Sequence, residues 1–143
     1  MSTLLQVRCS STPGQLQAPT KVAATPGTIT VSYGAFVDNN DGLHGAALRS
    51  YVVARDEGGP TTEVTLSDAS MTTYTFYSLT AGQAYNVRVR VITEAGAGPW
   101  SDATVIEAAA PPDAPTGLSA SSTNAAVTLN WNFLGSDGGS AVT

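Results

Sequence analysis

The run Leu79-Thr80-Ala81-Gly82-Gln83-Ala84-Tyr85-Asn86-Val87-Arg88-Val89-Arg90-Val91 carries the most regular pattern in the chain. From Tyr85 onward apolar and polar residues alternate without a break. Side chains two apart share one face of a strand, so Tyr85, Val87, Val89 and Val91 face one way and Asn86, Arg88 and Arg90 the other. One face has to be covered and the other can meet water. That is the signature of a half-buried strand in an antiparallel sheet.

The same period recurs on both sides of this run. Ile29, Val31 and Tyr33 alternate with Thr30 and Ser32, and Tyr51 and Val53 follow the polar loop Asp38-Asn39-Asn40-Asp41-Gly42. Glu63-Val64-Thr65-Leu66 comes after the turn Glu57-Gly58-Gly59-Pro60. Tyr74, Phe76 and Leu79 mark a further strand whose phase shifts at its end, and Thr104-Val105-Ile106-Glu107 reads as the last. No segment shows apolar residues at i, i+3 and i+4, so no helix is predicted. Six or seven short strands separated by Gly, Pro and Asn turns predict an antiparallel sandwich around a single core. Tyr33, Tyr51, Val53, Phe76, Leu79, Tyr85, Val87 and Val89 are its expected core.

The chain also begins its pattern twice. Ala18-Pro19-Thr20-Lys21-Val22 returns as Ala114-Pro115-Thr116-Gly117-Leu118, 96 positions on, and Ile29 to Tyr33 is answered by Val127-Thr128-Leu129-Asn130-Trp131. A period of that size is the length of a small domain. Residues 18–110 are therefore read as one complete domain and 111–143 as the truncated start of a second. Residues 1–17 align with the end of a preceding unit or form an irregular leader. Pro111-Pro112-Asp113-Ala114-Pro115 reads as a stiff extended linker, because proline fixes φ.

The order of these segments resembles the fibronectin type III domain. The shared features are a proline-led first strand, a second strand ending in an aromatic residue (Tyr33, Trp131), Tyr51-Val52-Val53 in the third, and the Leu79 to Val89 run. The resemblance implies an all-β, seven-stranded antiparallel Ig-like sandwich with a truncated second copy. It also implies that Leu79 and Tyr85 bracket a tyrosine corner, in which the Tyr85 hydroxyl bonds back to the backbone near Leu79 or Gly82. Gly96-Ala97-Gly98-Pro99-Trp100-Ser101 is similar to the family's last hairpin loop. The departure is Tyr33, where most members carry tryptophan. Its hydroxyl has to find a partner or reach the edge of the core.

Composition limits the function. Only 12% of residues are charged, the net charge is −5, and Lys21 is the sole lysine, so there is no basic patch for nucleic acid. No stretch approaches the roughly 20 apolar residues that span a membrane, and direct membrane insertion is not expected. Cys9 is the only cysteine and His44 the only histidine, which rules out an internal disulfide, a His-based zinc cluster and a Ser-His-Asp triad within these residues. The 38–42 loop lacks the glycine and glutamate of a calcium-binding EF-hand: Leu43 and Arg49 stand at those places, and the loop is read as solvated. No catalytic, metal or cofactor residue is assigned. Neither an Arg-Gly-Asp tripeptide nor an Asn-x-Ser/Thr sequon is present.

One cluster remains. Arg88 and Arg90 leave the outer face of their strand, and Trp100 lies just across the hairpin from them, so guanidinium and indole can stack or form an interaction surface. The expected role is a non-catalytic structural, adhesive or scaffold module acting as a semi-rigid spacer. Its partners are other modules of the same chain and further proteins, and carbohydrate would be reached only through a neighbouring domain. The alternatives are an accessory module of a secreted polysaccharide hydrolase and part of a receptor ectodomain. Cell-surface, secreted and intracellular cytoskeletal settings, such as an axoneme, all fit this composition.

Overall fold

The computed structural model describes residues 11–36, 46–132, 135, 136 and 138. Cys9, the 38–42 loop and His44 lie outside the described residues. Every described element is a strand: β1 (Thr20–Thr25), β2 (Thr28–Ser32), β3 (Leu48–Asp56), β4 (Thr62–Leu66), β5 (Thr73–Phe76), β6 (Ala84–Thr93), β7 (Gly96–Ala97), β8 (Thr104–Glu107), β9 (Thr116–Ser122) and β10 (Val127–Asn132). One sheet runs β1-β2-β5; a second runs β4-β3-β6-β7, with β8 also on β6. All pairings are antiparallel. The β1–β2 turn is Pro26-Gly27, where proline sets one φ and Gly27 adopts φ +98°.

The two sheets bury their alternating faces against each other. Ile29, Val31 and Tyr33 meet Tyr51, Val53, Tyr85, Val87, Val89 and Val91, and Leu66, Phe76, Leu79 and Ile106 close the ends. β6 sits at the centre because it pairs with β3 along one edge and with β7 and β8 along the other. Its Val89 is fully buried. The rings of Tyr33 and Tyr51 pack at 5.1 Å between centroids, tilted by 54°. After β5 the phase shift expected near Leu79 is made by Ser78, whose φ of 57° turns the chain so that the Leu79 amide donates to the Gly27 carbonyl at 3.0 Å.

The last hairpin is tighter than the sequence suggests. Gly96 and Ala97 already pair with Thr93 and Ile92, so only Glu94 and Ala95 form the turn. The ladder breaks at Pro99, which has no N–H to give. Around the break the amides of Gly98 and Ser101 donate to the Val91 and Val89 carbonyls, and the Ser101 hydroxyl accepts the Val89 amide at 3.0 Å. A side chain thus carries the ladder from β7 to β8.

β9 and β10 form a separate two-stranded sheet. Leu129 pairs with Ala120 and Val127 with Ser122, which leaves Leu118, Val127, Leu129 and Trp131 more than half exposed. The counterpart of Leu118, Val22, is exposed as well, but those of Val127, Leu129 and Trp131, namely Ile29, Val31 and Tyr33, are at most 1% exposed.

Candidate functional site

The outer face of the second sheet carries the charged cluster. Val52 and Ala54 on β3 point outward yet are buried, and the ladder sets Arg90 beside Val52 and Arg88 beside Ala54. The arginine stems therefore lie over these small apolar residues while their guanidiniums reach the Trp100 ring. The guanidinium carbons of Arg90 and Arg88 stand 4.3 and 5.6 Å from the ring centroid. Arg90 donates to Glu63 Oε2 at 3.2 Å, and Arg88 to Asp56 Oδ2 at 3.4 Å. Cation–π contacts at exposed sites contribute about 0.5–1 kcal/mol each, and exposed ion pairs about 0–1 kcal/mol. The cluster is thus a covering layer of several small contributions. The Asn86 amide, the Gly58 N–H and then Arg88 hold the Asp56 carboxyl below the usual aspartate range.

At the start of β6 the Thr80 amide donates to the Tyr85 hydroxyl at 2.8 Å. The partner lies between the two positions expected for it, Leu79 and Gly82. Gly82, with φ +74°, instead donates its N–H to the Ala108 carbonyl, and the Ala108 amide returns to the Gln83 carbonyl. The corner thereby holds the end of the first repeat. Arg55 is the residue that sequence reasoning missed. The alternation Tyr51, Val53, Arg55 puts it on the inner face at the end of β3, where its guanidinium carbon stands 5.3 Å from the Tyr85 ring centroid and 6.0 Å from that of Phe76.

Tyr33 is a correction to expectation. Its hydroxyl neither reaches the edge of the core nor finds a hydrogen-bond partner among the described residues, and the residue is 1% exposed. Its amide donates to the Thr72 carbonyl at 2.9 Å, and its ring packs on Tyr51. Burial, with a smaller contribution from Tyr51, pushes its pKa up to about 12. The Tyr51 hydroxyl is satisfied by the Phe36 amide at 3.0 Å.

Ahead of β1, residues 12–19 run parallel to the β7–β8 edge. Pro13 packs on Gly98, the Gln15 side chain donates to the Trp100 carbonyl at 2.9 Å, and Thr104 Oγ1 donates to the Pro19 carbonyl at 2.5 Å. Leu16 from this segment packs on the core. Between the segment and the end of β2 lies a cleft of about 570 Å³ whose described lining, including Gln15, Thr20, Ser32 and Phe36, carries no ionisable side chain. Among the described residues there is no group of three or more His, Cys, Asp or Glu placed to hold a metal ion. Nor is any helix among them long and apolar enough to cross a membrane.

Two antiparallel sheets packed face to face, joined by a tyrosine corner, define an immunoglobulin-like β-sandwich. The family model for the fibronectin type III domain matches residues 11–107, and the chain belongs to that family. Among solved structures it is similar to the FN1-FN3 domains of chicken CNTN1, at 21% identity and a TM-score of 0.59, covering 85% of this chain and 44% of that one. It is also similar to a fourth FNIII domain from a human protein (18% identity, TM-score 0.58, 76% of this chain and 88% of that one). A myokine structure is similar at 14% identity and a TM-score of 0.56, covering 68% of this chain and 98% of that one. None of the curated proteins compared matches the chain. Fibronectin type III domains are in general non-catalytic modules for protein interaction and scaffolding.

Proposed function

We propose that this chain belongs to a tandem array in which residues 18–110 form one complete fibronectin type III domain and 111–143 begin another, with 1–17 leading in. The array acts as a semi-rigid structural or adhesive spacer that presents protein-interaction surfaces and combines weak contacts by avidity. The observation that carries this reading is the β9–β10 hairpin. It repeats β1–β2 in sequence and pairing, but Val127, Leu129 and Trp131 are exposed where Ile29, Val31 and Tyr33 are buried. An uncharged apolar sheet face with free strand edges is built to be covered by further strands.

The test uses the full 143-residue chain carrying Trp100→Phe, so that Trp131 is the only indole. At dilutions where the chain is monomeric, acrylamide should quench Trp131 readily, and sedimentation should show self-association as concentration rises. A monomer with a shielded Trp131 would mean that the hairpin folds back on the first domain, and the array reading would be wrong.

A further inference from the structure

Neighbouring residues at the junction are held by opposite units. Ala109 is buried in the first domain, and Ala108 before it is bonded on both sides to the Gly82–Gln83 corner. The next residue, Ala110, donates its amide to the Gly138 carbonyl at 2.9 Å, beyond β10. Pro111 and Pro112 have no N–H, and Asp113 donates its amide to the Ser136 carbonyl at 3.0 Å. Its carboxylate Oδ2 in turn accepts the Ser136 amide at 2.8 Å. Every backbone donor from 110 to 113 is thus used, and the two residues between have φ fixed by their rings.

Two glycines make the approach possible. A side chain at Gly135 would run into Asp113, and one at Gly138 would run into the Ala110 carbonyl, with Gly138 itself at φ +73°. Ala110 in turn lies against Gly82, where a Cβ would stand 3.7 Å from the Ala110 methyl. The repeat supports the same division of labour. Residues 96 positions earlier, Gly14 to Gln17, include Gln15 and Leu16, which pack on the domain they precede rather than spanning free between units.

We infer that the junction is a fixed joint rather than a linker. Asp113 clamps the chain to Ser136, and the Tyr85 corner of the first domain seats it, so the two units keep one relative orientation. This rests on the array reading for its purpose, but its test is separate. Nitrogen-15 relaxation of the full chain should give β9–β10 the same rotational correlation time as β6, with Ala110 and Asp113 amides as ordered as strand amides. Asp113→Ala should shorten the β9–β10 correlation time and lower the heteronuclear NOE at both amides, with β6 unchanged. Asp113→Asn, which keeps an acceptor in place, should hold the joint even if the alanine variant frays the hairpin. Independent tumbling of β9–β10 in the parent, or unchanged coupling in Asp113→Ala, overturns the clamp. Trp131 quenching is read in the same chains carrying Trp100→Phe: exposure leaves the array reading standing when the clamp fails, and shielding sinks the array reading alone.

Discussion

Removing one hydroxyl should destabilise this domain at Tyr85 and stabilise it at Tyr33. At Tyr85 the oxygen accepts the Thr80 amide, so phenylalanine leaves a half-buried N–H without a partner. An orphaned group of this kind costs about 1–3 kcal/mol. For a domain of this size each kcal/mol moves Tm by about 4–8 °C, so Tyr85→Phe should melt on the order of 10 °C lower. At Tyr33 the hydroxyl is buried with no partner among the described residues, and phenylalanine removes a desolvated group while keeping the ring on Tyr51. That change should raise stability by up to about 1 kcal/mol. Alkaline pH separates the two further. Tyr33 is pushed from 10.0 to about 12 in the folded state, so the folded chain keeps its proton where the unfolded chain loses it. Stability unaffected below pH 10 is lost as pH rises towards 12, by about 1.4 kcal/mol per unit at most, and Tyr33→Phe should remove that part of the loss. Scanning calorimetry and chemical denaturation at pH 7, 10 and 11 give the comparison. Equal losses from the two substitutions at pH 7 would mean that Tyr33 has a partner, and the reasoning would fail.

Val89→Asp places a charge at the centre of β6 at a cost of several kcal/mol, so circular dichroism should show an unfolded chain; a parent-like melt would refute the register. Arg90→Met keeps the stem over Val52 and should cost less than about 1 kcal/mol, whereas Arg90→Ala should cost more by uncovering it. Equal melts for the two would show that the charge, not the stem, matters. Asp56 titrates below its usual 3.8, so its contribution is present above that value and lost as pH falls further, and the acid limb should flatten in Asp56→Asn. Gly98→Val puts a side chain 3.0 Å from the Pro13 ring and carbonyl, and should lift residues 12–17 and speed proteolysis there.

The register of β6 was legible because a period of two assigns every side chain to a face. The same rule put Arg88 and Arg90 on the side where Trp100 lies. Arg55 obeys it too, two positions beyond Val53, but alternation alone does not say that a charge at an inward position will be held by ring faces, here those of Tyr85 and Phe76. Ser78 carries no glycine to announce its positive φ. The bonds of Asp113 to Ser136 and of Gln15 to Trp100 join residues far apart in sequence, through groups with no period of their own. Such contacts follow from the assembled sheets, and nothing local specifies them.

The parallel course of residues 12–19 beside β7 and β8 determines how the domain meets mechanical load. Tension applied between residue 11 and residue 110 pulls the two segments in opposite directions along their shared edge. The Gln15–Trp100 and Pro19–Thr104 bonds and the Pro13–Gly98 contact are then sheared together rather than peeled apart one after another. Load along the chain axis therefore falls on this edge, on Pro13, Gln15, Pro19 and Thr104, none of which belongs to the hydrophobic core cluster.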